Sequence, residues 1–199
     1  IAGVDKAEML CDFPIYKSFD DVNVIPDVII DFSHISVLDS LLSFAIKNNV
    51  PTVLATTGYT AEQLEKINAA SAKIPVFFTA NMSLGVNLLC SLAKSAAKVL
   101  GSNFDVEIIE KHHNQKIDAP SGTALMLANA VNSVFDDTYI YEYDRHSKRQ
   151  KRKKNEIGIH AVRGGTIVGE HQVIFAGHDE VVTLTHQAQS KEVFAIGSI

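Results

Sequence analysis

The stretch that organises this sequence is Glu110-Lys111-His112-His113-Asn114-Gln115-Lys116-Ile117-Asp118-Ala119-Pro120-Ser121-Gly122-Thr123-Ala124. It brings two imidazoles, an ammonium and a Ser-Gly-Thr turn together between a predicted strand, 104–110, and a predicted helix, 121–135. An imidazole exchanges protons near neutral pH, whereas a lysine ammonium is a fixed positive charge that suits a carboxylate. The first backbone N–H groups of a helix also favour an anion. Together these groups predict a site that holds a small dicarboxylate or carboxylate-imine and protonates it.

Upstream of this stretch, strands and helices alternate. Four apolar runs are predicted strands: 1–5, 27–32, 50–55 and 74–78. Apolar residues at helical spacing predict a helix over 36–48, and the Thr-x-x-Gln capping box at Thr60 predicts the start of another. Strands that alternate with helices form βαβ units, so the pattern indicates an α/β domain with a parallel sheet. The continuous apolar run at 27–32 predicts a strand that is covered on both faces.

Small or polar residues follow three of these strands, at Phe32-Ser33-His34, Thr56-Thr57-Gly58 and Ala80-Asn81-Met82. Because ligands of open α/β sheets bind at the carboxyl ends of the strands, we predict one continuous ligand rim; the alternative is that these segments are ordinary turns. Asp5 ends an earlier strand and suits a ribose hydroxyl, and Lys6 beside it suits a 2′-phosphate. The sequence contains no Gly-x-Gly-x-x-Gly turn for a pyrophosphate, so the nucleotide hypothesis is incomplete from the residues alone.

The pattern changes after a long predicted helix, 83–100. Three further strands are predicted in succession, at 156–163, 166–175 and 180–189. The segments between them, Gly164-Gly165 and Ala176-Gly177-His178-Asp179, predict hairpin connections. This half is therefore predicted to be an α+β domain with a mostly antiparallel or mixed sheet.

A basic run at 145–154 holds seven of the chain's 18 Lys and Arg side chains. A nucleic-acid patch, a solvated loop and a surface that attracts an acidic substrate are the three interpretations. We favour the solvated loop, because no aromatic residues are interleaved to stack on bases and the chain as a whole carries a net charge of −5.

Composition indicates a soluble globular protein. With 46% hydrophobic residues among 199, the chain is able to bury one large core or two small ones. No stretch approaches the roughly 20 apolar residues of a membrane span, and there is no signal-peptide pattern, which predicts a cytoplasmic protein with no membrane partner. Cys11 and Cys90 match no metal or redox spacing and are expected to be reduced packing residues.

The His112-His113 pair leaves two other interpretations open. Paired histidines often bind zinc, but neighbours on a strand point to opposite faces, and no Cys or His-x-x-x-His partner lies nearby. We therefore predict no metal ligands. The other interpretation is a purely structural role for both histidines.

Several segments resemble the dihydrodipicolinate reductase family, and in that family's order. They are Ala55-Thr56-Thr57-Gly58, Ala80-Asn81-Met82-Ser83-Leu84-Gly85-Val86-Asn87, the 110–124 stretch, Gly158-Ile159-His160-Ala161-Val162-Arg163-Gly164-Gly165 and Val168-Gly169-Glu170-His171. The resemblance covers essentially the whole chain. It implies an enzyme of lysine and diaminopimelate synthesis that uses NADPH or NADH to reduce the cyclic imine acid formed from 4-hydroxy-tetrahydrodipicolinate.

The resemblance also implies an architecture. Residues 1–82 match a partial Rossmann-like nucleotide-binding domain, rejoined by the C-terminal end near 195–199. Residues 83–194 match an α+β substrate-binding and oligomerisation domain with a mixed sheet. Family members assemble as homotetramers through that sheet, so a homotetramer is expected, with a small dicarboxylate and no nucleic acid as further partners.

Site residues follow from the resemblance position by position. His112 matches the proton donor, and Lys116 matches a catalytic, carboxylate-binding lysine. The positions that match substrate-binding residues are His113, Lys116, Ser121, Gly122 and Thr123. With the Phe32-Ser33 turn of the predicted rim, the expected cofactor-binding residues are Asp5, Lys6, Phe32, Ser33, Ala55, Thr56, Thr57, Thr79, Ala80, Asn81 and Met82.

The sequence also departs from the family pattern. Family chains begin with a strand and a Gly-rich turn and continue past 194–197 into a helix, and the present sequence includes neither, which predicts a fragment. Ala55 stands where the family often has Gly. Two alternatives follow: a noncatalytic small-molecule-binding or oligomerisation module if the Gly-rich segment is truly absent, and a metal-dependent hydrolase that uses His112 and His113.

Overall fold

The computed structural model describes residues 1–7 and 10–199, which divide into two compact units, residues 1–80 and 81–199. The elements of the first unit are β1 (Gly3–Val4), β2 (Ile15–Tyr16), β3 (Ile29–Asp31), α1 (Leu38–Asn48), β4 (Thr52–Leu54), α2 (Ala61–Ser71) and β5 (Val76–Phe78). β1 pairs in parallel with β2, and β3, β4 and β5 form a second parallel sheet in that order. The parallel pairing that the sequence predicts is therefore observed.

The helices α1 and α2 pack on one face of the β3–β5 sheet. Apolar residues of α1 recur at helical spacing and lie buried against β4 together with apolar residues of α2. The buried cluster consists of Leu38, Leu41, Leu42, Leu54, Ile67 and Ala70. The predicted capping box at the start of α2 is present: Oγ1 of Thr60 accepts a bond from the N–H of Gln63, whose side-chain oxygen accepts one from the N–H of Thr60.

The other face of this sheet is open, contrary to the prediction that 27–32 is covered on both faces. The register places Ile30, Val53 and Phe77 in one row across the sheet. Ile30 is 42% exposed and Phe77 is 58% exposed. The prediction is wrong because both helices contribute to the cluster on the opposite face, and within residues 1–7 and 10–80 no other α-helix exists to cover the row.

The second unit is built around one mixed sheet. Its elements are α3 (Leu84–Leu100), β6 (Asp105–His112), α4 (Gly122–Asn132), β7 (Ile140–Glu142), β8 (Glu156–Arg163), β9 (Gly169–Ala176), β10 (Val181–Ala188) and α5 (Glu192–Ile196). The strand order is β10-β9-β6-β8-β7, and β6 pairs in parallel with β8 and antiparallel with β9. The prediction of an α+β unit with a mixed sheet is therefore met.

Two features of this sheet differ from the prediction. Gly164-Gly165 does not form a hairpin, because β8 and β9 flank β6 on opposite sides and the chain must pass the carboxyl end of β6 between them. There the N–H of Gly164 donates to the carbonyl of His112 at 2.9 Å. β7 and α5 were not predicted, since elements of three and five residues are too short for a periodic pattern. The 176–179 connection is a hairpin as predicted, because β9 and β10 are antiparallel neighbours.

α3 and α4 provide the helical half of the second core. Their buried apolar residues pack on the helix-facing side chains of the sheet, such as Ile108, Ile157 and Phe175. Each such buried side chain contributes roughly 1.5–3 kcal/mol of stability. By length and composition alone, 84–103 is apolar enough to cross a bilayer, which corrects the prediction that no stretch approaches such a span. In the fold, one face of α3 is buried in this core through Leu89, Ala93 and Ala97, whereas Leu84, Leu88, Leu92 and Val99 on the rest of the helix are exposed.

The cysteines and the basic run occupy different surroundings. Both thiols are free; Cys90 is partly buried beside the second core, whereas Cys11 is exposed and is not the packing residue that was predicted. In the basic run, Arg145 and Arg152 both donate to Glu107, at 3.1 and 3.0 Å. These two charges are therefore paired with carboxylates within the chain, and the three interpretations of the basic run stay predictions.

Candidate active site

β6 carries the candidate site because of its alternation. Successive residues of a strand point to opposite faces, so Glu110 and His112 share the helix-facing side with Val106 and Ile108. The apolar pair lies in the core, and the polar pair follows toward the carboxyl end of the strand. His112 is the last residue of β6, two positions beyond the predicted end. The central strand therefore carries a buried carboxylate and a buried imidazole to the edge of the core.

Glu110 is fully buried and accepts four hydrogen bonds. Nη1 and Nη2 of Arg163 donate to Oε2 and Oε1, each at 2.7 Å. Nδ1 of His112 lies 2.6 Å from Oε2, and the N–H of Ser121 donates to Oε1 at 3.0 Å. Burial alone would raise the pKa of Glu110, but the bonds from His112 and Arg163 outweigh burial and lower the pKa to about 2. Glu110 is therefore an ionised acceptor at neutral pH.

A second buried histidine lies against His112. His171 of β9 pairs with Glu110 in the sheet register, and its ring lies edge-on to the ring of His112 with 5.1 Å between centroids. Its Nε2 lies 3.0 Å from Oγ of Ser121. Burial, and then the charge of His112, lower the pKa of His171 to about 3, so this ring is neutral at neutral pH. The two imidazoles thus differ in their partners: a carboxylate for His112 and a hydroxyl for His171.

Positive groups surround the residue that follows β6. The pKa of His113 is lowered by desolvation and then by the charges of Lys191, His112 and Lys116. Nζ of Lys116 is paired with Asp118 at 2.8 Å in a partly exposed contact. Such pairs contribute only about 0–1 kcal/mol, so a ligand carboxylate is able to replace the partner. This concentration of positive charge suits an anion with more than one carboxylate.

The start of α4 adds backbone donors to the site. Ser121 caps the helix, since its Oγ accepts a bond from the N–H of Ala124 at 3.2 Å. The N–H groups of Gly122 and Thr123 belong to the first turn, which no intrahelical carbonyl reaches. Oγ1 of Thr123 accepts a bond of 2.7 Å from Nδ2 of Asn81. A predicted substrate-binding residue and a predicted cofactor-binding residue are therefore in direct contact.

In the first unit, another buried carboxylate joins two of the predicted rim turns. Asp31 ends β3, and its Oδ1 accepts bonds from the N–H and the hydroxyl of Ser33. Its Oδ2 accepts bonds from the hydroxyls of Thr56 at 2.8 Å and Tyr59 at 3.3 Å. Burial and the charge of Asp31 raise the pKa of Tyr59 to about 12, which keeps that hydroxyl protonated. The turns after β3 and β4 are therefore held together at the carboxyl end of the sheet.

The remaining predicted cofactor residues are less closely connected. Asp5 and Lys6 are exposed and follow β1, which is not hydrogen-bonded to the β3–β5 sheet. Phe32, Ser33 and Thr57 are exposed, Ala55, Thr79, Ala80 and Asn81 are partly buried, and Met82 is buried. The third turn, 80–82, spans the boundary between the two units. The continuous rim, the domain limits and the return of 195–199 to the nucleotide domain therefore stay predictions.

Five residues of these networks were not predicted from the sequence: Asp31, Tyr59, Glu110, Arg163 and His171. Glu110 was within reach of sequence reasoning, because the two-residue period of a strand puts it on the same face as His112. Arg163 lies 53 positions from Glu110 and meets it only through the parallel pairing of β6 with β8. Sequence alone does not give that register.

The metal-site alternative gains no support from the geometry. Within residues 1–7 and 10–199, no group of three or more His, Cys, Asp or Glu side chains has the arrangement of a metal site. Nδ1 of His112 is also already engaged by Glu110. The expectation of no metal ligands at the His pair stays a prediction.

Two family profiles match the chain. The profile described as the N-terminus of dihydrodipicolinate reductase matches residues 2–82, and the profile described as its C-terminus matches residues 85–199. The chain belongs to the dihydrodipicolinate reductase family. The match to residues 2–82 identifies the first unit with the NAD(P)-binding part of the family.

Individual members of the dihydrodipicolinate reductase family agree with this assignment. Relatives named 4-hydroxy-tetrahydrodipicolinate reductase are 55% identical in Caldanaerobacter subterraneus and 50% identical in Clostridium novyi; each match covers all of this chain and 79% of the relative. The solved structure of dipicolinate-bound dihydrodipicolinate reductase from Paenisporosarcina has a TM-score of 0.68 at 29% identity, covering 96% of this chain and 74% of that one. The predicted family, fold class, enzyme class and cofactor class are confirmed.

Proposed function

We propose that this chain transfers hydride from NADPH or NADH to the cyclic imine acid formed from 4-hydroxy-tetrahydrodipicolinate, giving tetrahydrodipicolinate for lysine and diaminopimelate synthesis. Relatives of that name, at 55% and 50% identity, support the reaction. The observation that carries the proposal is the buried contact of 2.6 Å between Glu110 and His112. A histidine held by a carboxylate at the end of the central strand is suited to general acid catalysis, so His112 is the proposed proton donor.

The substrate is proposed to lie between Lys116 and the start of α4. Lys116 exchanges its contact with Asp118 for one substrate carboxylate, and the N–H groups of Gly122 and Thr123, in the first turn of the helix, donate to the other. His113 and Ser121 complete the proposed binding set: the first adds a polar ring, and the second holds the helix start in place. A dicarboxylate is favoured over a monocarboxylate, because the positive side chain and the helix start are two separate anion-binding groups.

The first unit suits a nicotinamide dinucleotide. Asp5 is an exposed carboxylate after a parallel strand, which is the usual position for binding ribose hydroxyls, and Lys6 beside it tolerates a 2′-phosphate. Ser33 and Thr56 are fixed by Asp31 at the carboxyl end of the sheet, where ligands of such folds bind. The bound dinucleotide supplies the hydride. The other residues proposed for this edge are Phe32, Ala55, Thr57, Thr79, Ala80, Asn81 and Met82.

The assembly proposed for the protein is a homotetramer formed through the sheet of the second unit. The core that includes α3 and α4 occupies one face of this sheet, while the other carries side chains such as Lys111, Gln172 and Thr183. Its outer strands, β7 and β10, each have one unpaired edge. Contact between copies covers such surfaces. Light scattering is expected to give a molar mass four times that of one protomer, and the mass of a single protomer would count against the assembly. The proposed compartment is the cytoplasm.

Replacement of His112 tests the catalytic part of the proposal. His112→Gln is expected to lower kcat by about 100-fold or more while a substrate analogue still binds, because a general acid contributes about 10²–10⁴-fold. The matched control is His178→Gln in the exposed β9–β10 hairpin, which is expected to retain full turnover. Turnover of His112→Gln equal to that of the control would refute the role of His112.

Replacement of Lys116 tests the proposed substrate grip. Lys116→Ala is expected to weaken the binding of pyridine-2,6-dicarboxylate about tenfold, since it removes a charge-assisted contact worth about 1.5–3 kcal/mol. The control is Lys66→Ala on α2, where Lys66 pairs with Asp39 and Glu62. Equal affinities in a calorimetric titration would remove Lys116 from the site.

A further inference from the structure

We propose that Glu110, clamped by Arg163, is the positioning residue that fixes a proton on Nδ1 of His112 and leaves Nε2 as the atom that delivers the proton to the substrate. The inference rests on the proposed function, in which His112 is the proton donor. It goes beyond that function by naming the nitrogen of His112 that donates the proton and the residues that determine the tautomer. Neither Glu110 nor Arg163 has to contact the substrate.

The argument begins with the number of donors around one carboxylate. Glu110 receives two N–H groups from Arg163 and one from the backbone of Ser121, so three of its four acceptor positions face groups that only donate. The fourth position faces Nδ1 of His112 at 2.6 Å. An ionised carboxylate has no proton to give, so the hydrogen in this contact belongs to His112. In the neutral ring, Nδ1 therefore carries the hydrogen and Nε2 is free.

The pairing with Arg163 keeps Glu110 in that state. A bidentate arginine–carboxylate pair stabilises the charged form, and the pKa of Glu110 agrees with this because it is lowered to about 2. Arg163 also donates to the carbonyl of Asp118 at 2.7 Å, which anchors its guanidinium to the loop before α4. Arg163 thus fixes both the charge and the position of the carboxylate that holds His112.

Gly169 lies near the side of the His112 ring that carries Nε2, and His171 lies beside the same ring. A Cβ added at Gly169 would lie 3.2 Å from Nε2 and 3.4 Å from Cδ2 of the ring, so the glycine leaves room on that side. The ring of His171 stands edge-on nearby. The ring of His171 therefore limits rotation of the imidazole on one side, while Glu110 holds its Nδ1.

The proton transfer balances with these assignments. In the charged form of His112, both nitrogens carry hydrogen. The Nε2–H bond breaks, the electron pair stays on Nε2, and the proton forms a new bond with the substrate ring next to the atom that receives hydride. The substrate thereby gains one hydride and one proton, and His112 returns to the neutral Nδ1–H form, which Glu110 favours. Solvent then reprotonates Nε2.

The first test reads the tautomer directly. Protein labelled with ¹⁵N-histidine is measured by NMR at a pH where the ring of His112 is neutral, and its signals are assigned by their loss in His112→Gln. The wild-type ring is expected to carry hydrogen on Nδ1. In Glu110→Gln it is expected to shift toward the Nε2–H form, because an amide is able to donate as well as accept. An unchanged tautomer overturns the proposal.

Glu107 provides a matched control on the same strand. It also accepts bonds from two arginines and lies 2.8 Å from a histidine nitrogen, that of His160, but it points to the opposite face of the sheet. Glu107→Gln is therefore expected to leave the His112 tautomer and kcat unchanged. If it alters the tautomer as much as Glu110→Gln does, the effect is general loss of charge and the proposal fails.

Kinetics separate positioning from folding. Glu110→Gln is expected to lower kcat about 100-fold or more with KM changed less than about threefold, the pattern of a histidine held in the wrong tautomer. Should that variant not fold, Gly169→Ala keeps every charge and crowds the ring, and we expect it to lower kcat at least tenfold while the tautomer stays on Nδ1. Full activity of either folded variant overturns the proposal.

The outcomes distinguish this inference from the proposed function. Loss of turnover in His112→Gln together with an unchanged tautomer in Glu110→Gln leaves the proposed function intact and removes the role of Glu110. A shifted tautomer together with full turnover in His112→Gln removes the proposed proton donor instead.

Discussion

Two carboxylates are buried, Asp31 in the first unit and Glu110 in the second, and they are stabilised by different kinds of hydrogen-bond donor. Each lies at or near the carboxyl end of a parallel strand, and each accepts four hydrogen bonds. Asp31 takes all of its bonds from neutral groups: three hydroxyls and one N–H. Glu110 takes two from a guanidinium, one from an imidazole and one from an N–H.

The difference matters because charged and neutral donors have different effects on a carboxylate and its surroundings. Hydroxyls rotate and hold loops together, so the bonds of Asp31 determine the shape of two turns. A guanidinium has a fixed geometry and a permanent charge, so the bonds of Glu110 determine where a negative charge and a neighbouring proton lie. We infer that Asp31 shapes a binding edge and Glu110 controls a proton.

The largest expected effect is on stability and separates the two carboxylates. Glu110→Gln is expected to reduce the free energy of unfolding by about 3–5 kcal/mol, because it leaves the guanidinium of Arg163 without its ionic partner. Asp31→Asn is expected to cost only about 1–3 kcal/mol, since neutral donors lose less when a charge is removed. Urea unfolding followed by circular dichroism measures both. Equal losses of unfolding free energy in the two variants would contradict the proposed difference between Asp31 and Glu110.

The next effect is the response of stability to acid. The folded pKa of Glu110, about 2, lies below its ordinary 4.5, and that of His171, about 3, lies below its ordinary 6.5. In both cases the unfolded chain binds more protons, so stability present above the ordinary pKa is lost as pH falls: from 6.5 toward 3 for His171 and from 4.5 toward 2 for Glu110. Each group contributes a slope of up to about 1.4 kcal/mol per pH unit.

Histidine variants isolate the upper part of this pH window. Between pH 6.5 and 4.5, His171→Gln is expected to flatten the slope of unfolding free energy, because only the folded protein keeps this ring neutral. His178→Gln is the control, since that side chain is 97% exposed. Urea midpoints at several pH values provide the measurement, and parallel slopes for wild type and His171→Gln would count against the buried neutral ring.

The helices and strands of this fold were predicted from the sequence more accurately than the pairing of the strands. Strand 156–163 and the Thr60 capping box agree with the structure, because strand propensity and caps act within a few residues. Gly164-Gly165 was wrongly predicted as a hairpin, because a glycine pair reports a turn but not which strand lies on the other side of it. Local sequence therefore predicts where a turn occurs, whereas long-range strand pairing determines which strands the turn connects.

The candidate site divides in the same way. His112, Lys116 and the Ser121 turn stand close together in sequence, so their chemistry was accessible without coordinates. Arg163 and His171 meet Glu110 only because β8 and β9 both pair with β6, and no short-range pattern encodes that arrangement. The proton-bearing group was therefore predictable, whereas the groups that control its proton were not.

A smaller effect sharpens the role of Asp31. Asp31→Asn is expected to weaken NADPH binding about tenfold, because the turns that carry Ser33 and Thr56 lose bonds worth about 0.5–1.5 kcal/mol each. Binding of pyridine-2,6-dicarboxylate is expected to stay the same. Fluorescence titration with NADPH tests this, with Asp39→Asn on α1 as an exposed control. A matched loss of dicarboxylate affinity would mean that Asp31 does more than shape the nucleotide edge.

The smallest effect comes from a third carboxylate, which is neither buried nor surrounded. Asp118 is about half exposed, and its carboxylate pairs with Lys116 at 2.8 Å. Asp118→Asn is expected to tighten the binding of pyridine-2,6-dicarboxylate about two- to fivefold, because a partly exposed ion pair contributes about 0.2–1 kcal/mol and the ligand no longer has to displace it. Added salt is expected to reduce the gain, since it screens such pairs.

The control for Asp118 is Asp39→Asn, which breaks the more exposed pair with Lys66 away from the site. The gain is expected to vanish in the Lys116→Ala background, because Asp118 is proposed to act only by occupying Lys116. A gain that persists there would mean that Asp118 repels the ligand directly. In that case its negative charge, rather than its contact with Lys116, governs dicarboxylate affinity.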